Sequence, residues 1–408
     1  MTGKRNTMRN TSLFLLLFAM SIHIFAQSSY EWNIKWNKGL QFLRSDDQFK
    51  IKIGGRIQYD LMMINQNAGL DSVYPAPNGT EFRRLRFYSS GTLFGNVKYK
   101  LQLDFSRGDA GVEDAYIEVT KIPWIGHIRA GHFKQPFGFE MQTSSKDITD
   151  MERSLPSVFT PERDLGFMIY NHQFNKRFSW YAGYFFPTKN IGLYLGNQYR
   201  LTFRVAGQPI YRPEGKWYTV FHLGMAYEHQ FNDNRLLIFQ ERPETHLAPK
   251  YARLSFEETK TAEVLGGEFV FIFGPLSFQG EYMTAKVVPT ASMKTFFDSY
   301  YYTTGYGILS WLITGEHKNY SQSKTAIGRI SPKKNLGKGG WGAWELSFRY
   351  SFVDLNDRDM RGGTMHDFTA GLNWYLNQAV RVMFNYVYSD VGNQGYASIY
   401  QMRFQVAF

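Results

Sequence analysis

The sequence predicts an all-β protein, a transmembrane antiparallel β-barrel of about sixteen strands, and three observations carry that reading. The chain ends in a strictly alternating run, in which Tyr400, Met402, Phe404, Val406 and Phe408 are apolar while Gln401, Arg403 and Gln405 are polar. A strand that meets lipid on one face and a watery lumen on the other needs this period of two, and a terminal aromatic suits docking to the barrel-assembly machinery. The chain begins with Lys4, Arg5 and Arg9, an apolar run over 13–18 and the small residue Ala26, the layout of a secretory signal peptide over 1–26. Beyond that segment no run of about 20 apolar residues occurs, which excludes a helical membrane protein. A half-buried edge strand of a soluble sheet also alternates, so the reading rests on the whole chain and not on its last segment.

Aromatics make up 17% of the residues and cysteine is absent. Disulfides, thiol catalysis and Cys-ligated metals are thereby excluded. The formal net charge is +11, and it falls to +8 once the three bases of the signal segment are removed, because that segment holds no acid. A basic exported chain has lipopolysaccharide phosphates, nucleic acid or lumenal anions as its possible partners, and the direction in which the bases point decides among them.

A short leader over 27–48 precedes the first strand, where Phe49, Ile51, Ile53, Ile57, Tyr59, Leu61 and Met63 share one parity and Lys50, Lys52, Arg56, Gln58 and Asp60 the other. In the second strand Leu85, Phe87 and Leu93 oppose Arg84, Arg86, Tyr88 and Ser90. Gly95-Asn96 then turns the chain into a third, with Val97, Tyr99, Leu101, Leu103 and Phe105 against Lys98, Lys100, Gln102 and Asp104. Further strands are expected to start near Gly111, Ile125, Leu165, Phe178, Tyr199, Trp217, Ala262, Leu276, Tyr300, Gly342, Met365, Gln378 and Ala397. The expected pattern is short periplasmic turns, as at Gly274-Pro275 and Asn377-Gln378, alternating with long outer loops over 135–164 and 231–260. Residues 49–408 read as one barrel domain.

Parity places Lys50, Lys52, Arg56, Arg84, Arg86, Lys98, Lys100, Arg200, Arg204, Arg349, Arg381 and Arg403 inward, against the acids Asp60, Asp104, Glu118, Glu228, Glu281 and Glu345. Inward bases point to anions in the lumen, not to nucleic acid. Guanidinium groups suit phosphate and carboxylate, because a planar fork of donors matches two oxygens at once. The bland alternative is that these arginines pair with the acids and only brace the wall. No paired histidine motif, Ser/His/Asp constellation or Asp-rich calcium loop is present, so neither enzyme activity nor a metal or other cofactor is expected.

The segments IGGRIQ at 53–58, FRR at 82–84, KY at 98–99 with DFSR at 104–107, GHFKQPFGFE at 131–140, TSSK at 143–146, ERS at 152–154, RD at 163–164, TGE at 314–316, GAWE at 342–345 and LNWY at 372–375 follow in this order. In that order and spacing the chain resembles the phosphate-selective porin O and P family, trimeric outer-membrane channels of about sixteen strands. The resemblance implies a homotrimer in the outer membrane and a third outer loop, here 135–163, folded into the lumen to line an anion path. Carried over by position, the path comprises Arg56, Arg83, Arg84, Ser144, Ser145, Lys146 and Arg153, with Lys52 and Lys98 as bases on the periplasmic side. Simple parity turns Arg83 outward, so an inlet that widens there, or a strand starting at Arg84, is needed to bring it in. The acidic position beside the constriction falls at Glu113 or Asp114. Phosphate-specific members carry a lysine where Met141 stands, and their arginine-dense outer loop is reduced here to Arg235, Arg242, Lys250 and Arg253. Loss of one such cation removes about 1–3 kcal/mol of charge-assisted binding. The expected function is passive diffusion of phosphate, polyphosphate or small organic anions. The alternatives are a general porin with weak anion bias and a non-conducting surface barrel.

Overall fold

The computed structural model describes residues 30–188, 194–214, 217–292 and 297–408. The signal segment and its cleavage after Ala26 lie outside the described residues, as do positions 293–296 of the loop before Tyr300.

The leader folds into a hairpin, β1 (Trp32–Trp36) and β2 (Leu40–Arg44). The barrel strands then follow as β3 (Lys50–Gln66), β4 (Gly79–Leu93), β5 (Val97–Asp104), β6 (Gly111–Ile122), β7 (Gly126–Lys134), β8 (Arg163–Gln173), β9 (Phe178–Phe186) and β10 (Tyr199–Arg212). They continue as β11 (Thr219–Glu241), β12 (Ala252–Phe273), β13 (Leu276–Pro289), β14 (Tyr300–Leu312), β17 (Ala343–Asp357), β18 (Met360–Tyr375), β19 (Val380–Asp390) and β20 (Tyr396–Ala407). A small separate hairpin, β15 (Asn319–Ser321) with β16 (Ala326–Gly328), lies between β14 and β17. Each barrel strand is antiparallel to the next, and β20 returns to β3 from Ala397 opposite Gln66 to Ala407 opposite Arg56. The sheet has 18 strands, of which β1 and β2 are the appended hairpin, so the closed barrel has sixteen. Closure removes both sheet edges, which is what lets strands cross a bilayer.

The expected facing is observed. Phe87, Leu101, Phe278 and Phe348 are exposed on the outer face, whereas Arg56, Arg84, Glu118, Arg204, Glu268, Arg349 and Arg403 are buried inside. This inverts the order of a soluble sandwich, because lipid takes the place of a core around the apolar face.

Three departures from the sequence expectation have physical reasons. First, the 27–48 leader is partly wall: β2 pairs with β3 from Leu40 opposite Ile53 to Leu43 opposite Lys50, continuing along β3 where β20 stops. Second, the long loop expected over 231–260 is mostly strand, since β11 and β12 stay paired to Glu241 opposite Ala252. The outward positions there, such as Arg235, Arg253 and Glu257, are polar, so the apolar alternation that marks a strand ends before the pairing does. Third, the connection over 313–342 lies at the end of the barrel that carries Phe408 and is long, which breaks the expected rule of short turns on that side.

Candidate anion path

Two β-bulges decide which charges enter the lumen. Between β3 and β4 the register shifts after Gln58, which faces Arg84, while Tyr59 faces Phe82. Arg83 is the extra residue. A bulge interrupts the alternation, so Arg83 and Arg84, adjacent in sequence, both point inward. This replaces the widened inlet or late strand start that parity alone demanded. The pairing of β5 with β6 shifts in the same way, with Gln102 opposite Asp114 and Leu103 opposite Val112. Glu113 then contacts Arg86 at 2.5 Å and Arg163 at 2.7 Å, while Asp114 contacts Lys100 at 2.5 Å and Arg163 at 2.8 Å. The choice between the two acids therefore disappears, because both face in.

The connection between β7 and β8 carries a short helical turn, α1 (Phe139–Gln142), and is held by side chains of several strands. Gly138 precedes it at φ 70°, and the freed N–H groups of Phe139 and Glu140 donate to Glu281 on β13 at 2.8 and 2.7 Å. A side chain at Gly138 would be strained at that φ and would crowd Glu281. Further along, backbone carbonyls accept from inward side chains in turn: Ser145 from Gln58, Lys146 from Gln405, Ile148 from Arg381, Thr149 from Asn373, Met151 from Arg403 and Glu152 from Arg349. These donors sit on β3, β20, β19, β18, β20 and β17. The loop has little secondary structure of its own, so the wall satisfies its backbone.

The candidate residues divide into two sets. Arg83 is neutralised by Glu152 at 2.9 Å, Arg84 lies 3.5 Å from the same carboxylate, and Arg403 reaches it at 2.7 Å. Lys98 lies 3.4 Å from Glu118. Arg56 is different: it donates to the Ser145 hydroxyl at 2.6 Å and is 3.5 Å from that of Ser144. Arg153 donates only to the carbonyls of Glu140 and Thr143, at 3.3 and 3.1 Å, and Lys52 to that of Asn37 at 3.0 Å. Lys146 lies 5.7 Å from the Tyr88 ring centroid. Among the described residues, no carboxylate oxygen comes within 4.0 Å of the charged nitrogens of Arg56, Lys52, Lys146 or Arg153. Burial and the charges of Arg329, Arg56 and Lys52, opposed in part by Asp147, push Lys146 down to about 7. Met141 is buried and lines a small cavity with Pro156, Thr160 and Met283.

The 313–342 connection was not foreseen as part of this region. Arg204, paired with Glu268 at 2.6 Å, also donates to the Thr325 hydroxyl at 2.6 Å. Tyr320 shares its hydroxyl with Gln208 at 3.0 Å and His222 at 2.7 Å, and Ile327 N–H donates to Thr143 at 3.3 Å. Arg329 donates to the carbonyls of Gln378 and Ala407, each at 3.0 Å. Sequence reasoning missed Arg329 and Lys134 for different reasons: the first lies on an irregular connection with no periodicity to read, and the second was noted only as part of a longer motif.

A family model described as phosphate-selective porin O and P matches residues 51–408. Porin O of Pseudomonas aeruginosa is 24% identical over 396 residues, covering 87% of this chain and 86% of that protein. An uncharacterised protein of Caulobacter vibrioides is 29% identical over 371 residues, covering 86% of this chain and 71% of the relative. Among solved structures, OmpT, an outer-membrane protein of Vibrio cholerae, superposes with a TM-score of 0.53 at 11% identity, covering 92% of this chain and all of that one, which supports the fold. With the matched residues spanning the barrel, this outer-membrane β-barrel is a channel protein, and the chain belongs to the phosphate-selective porin O and P family.

Proposed function

We propose that the barrel passes small anions by diffusion, with phosphate, polyphosphate or small organic anions as its solutes. The observation that carries this reading is the set of cations left without a carboxylate: among the described residues Arg56, Lys146, Arg153 and Lys52 have none within 4.0 Å, whereas Arg83 and Arg84 share Glu152 and Lys98 shares Glu118 with Arg129. The path then runs from Arg153 past Arg56, Ser144 and Ser145 to Lys146 and Lys52, with the loop over 135–162 narrowing the lumen beside it. Hydroxyls add donors and no charge, so an anion exchanges water for Ser144 and Ser145 without meeting a carboxylate. Arg83 and Arg84 brace the loop and do not carry the anion.

A second reading, a general porin with weak anion bias, draws support from the number of lumen arginines already paired, among them Arg86, Arg129, Arg200 and Arg204. The ratio of chloride to potassium permeability separates the two. Double substitution of Arg56→Gln and Lys146→Gln lowers that ratio strongly if the first reading holds, and leaves it nearly unchanged if the field is spread over the whole lumen. Assembly as a homotrimer and insertion by the barrel-assembly machinery, with Phe408 as its docking residue, belong to the same proposal.

A further inference from the structure

The β1–β2 hairpin lies outside the family match, which begins at residue 51, and a diffusion channel has no use for its exposed apolar side chains. Register fixes the two faces of the hairpin. Leu40 stands opposite Ile53 and Phe42 opposite Ile51, while Trp36 stands opposite Leu40 and Ile34 opposite Phe42. Residues directly opposite in an antiparallel pair share a face, so Ile34, Trp36, Leu40, Phe42, Ile51 and Ile53 form one apolar surface. The other face carries Asn33, Lys35 and Gln41 with Leu43, and leads to the lumen bases Lys50 and Lys52.

The apolar surface continues the lipid belt of the barrel. Ile53 and Ile57 share a parity on β3, and a side chain at Gly55 between them would meet the Phe408 ring at 2.8 Å, so that ring fills the gap. Ile57 is 38% exposed, Ile34 65% and Trp36 64%, with no protein covering the outer end of the stripe. The hairpin is held in this orientation. Arg44 lies 4.4 Å from the Tyr30 ring centroid and 4.0 Å from that of Phe49, Phe49 packs on Phe94 at 4.9 Å, and Lys52 donates to the Asn37 carbonyl at 3.0 Å.

Tryptophans mark the same end of the barrel. Trp344 and Trp374, on outward positions of β17 and β18, stack at 5.1 Å, and the carbonyl of the exposed Trp341 accepts from Trp374 Nε1 at 2.7 Å. Such side chains concentrate where hydrocarbon gives way to headgroups. We propose that the β1–β2 hairpin is a membrane anchor: the face bearing Ile34, Trp36 and Phe42 lies on phospholipid at the headgroup boundary of the leaflet on the Phe408 side. There it also covers the stretch of β3 that β20 does not reach. Among the described residues β1 pairs only with β2, and the exposed Lys35 puts a charge on its free edge, which disfavours a further strand as the occupant.

The chain has no cysteine, so single labels are unambiguous. Asn33→Cys, Ile34→Cys, Lys35→Cys and Trp36→Cys, each carrying a nitroxide, are reconstituted as full barrels in vesicles of phosphatidylethanolamine and phosphatidylglycerol. Collision of the label with oxygen, which partitions into lipid, is compared with collision with a water-soluble nickel chelate. The expected oxygen-to-nickel ratio alternates with a period of two, high at 34 and 36 and low at 33 and 35. High nickel access at all four positions means that the face meets water, and overturns the anchor. Spin–spin broadening at 34 and 36 that disappears on dilution with unlabelled barrel means that a second copy covers the face, and overturns it equally. Quenching of native tryptophan emission by brominated phospholipid checks the result without a label: Trp36→Phe is expected to remove a quenchable component, and an unchanged quenched fraction contradicts the proposal.

Discussion

Arg83 donates two hydrogen bonds, of 2.9 and 3.0 Å, to the carboxylate of Glu152, a residue 69 positions further along the chain. Because Arg84 and Arg403 approach the same carboxylate, one acid of the β7–β8 loop neutralises part of a wall that is rich in arginine. Glu152→Gln removes that charge and keeps most of the acceptor geometry. The expected result is a reversal potential in a salt gradient that moves further toward the chloride value, together with a more easily unfolded loop, since breaking such a buried network costs about 3–5 kcal/mol. An unchanged reversal potential in a folded variant shows that these arginines do not face the ion path.

The charge on Lys146 is expected to make selectivity depend on pH. Its pKa is pushed down to about 7, so the ammonium is present below that value and lost above it. Anion preference therefore falls as pH rises from about 6 to about 8, the span over which a group with that pKa changes its charge. Lys146→Arg should flatten the profile, because a guanidinium stays charged throughout. A profile that is already flat in the wild type removes Lys146 from the path.

Much of the barrel was legible in the sequence, and the exceptions are local. Alternation gave the inward set from Lys50 to Arg403 because lipid on one face and water on the other impose a period of two. It failed at Arg83 and at Glu113, where a bulge inserts one residue and changes the parity, and no propensity signal marks either site. It also failed at the far ends of β11 and β12, where the strands stay paired although their outward positions are polar. Residue identity showed which bases enter the lumen, but not which of them lose their charge to an acid. That depends on contacts such as Arg83 with Glu152, which are remote in sequence.

The latch between Arg204 and the 313–342 connection is expected to control conductance. Replacing Arg204 and Glu268 together by methionine avoids leaving one charge buried and alone. The connection then loses the bonds that Arg204 donates to the Thr325 hydroxyl and carbonyl. Single-channel recordings should show a larger or noisier conductance. Identical current steps and noise would mean that the connection does not lie across the ion path.

Leu101, 46% exposed on the outer face, reports on the lipid side. Leu101→Arg should cost about 2–4 kcal/mol near the bilayer midplane and reduce the folded, heat-modifiable fraction on gels. Normal folding of this variant contradicts the assignment of that face to lipid.

The most direct test of the account is the reversal potential of the purified wild-type barrel in a planar bilayer under a potassium chloride gradient. Arg56, Lys146, Arg153 and Lys52, free of carboxylate partners, predict discrete channel steps and a reversal potential close to that of chloride. Steps that reverse at the potassium potential, or a folded barrel that gives no steps, contradict it.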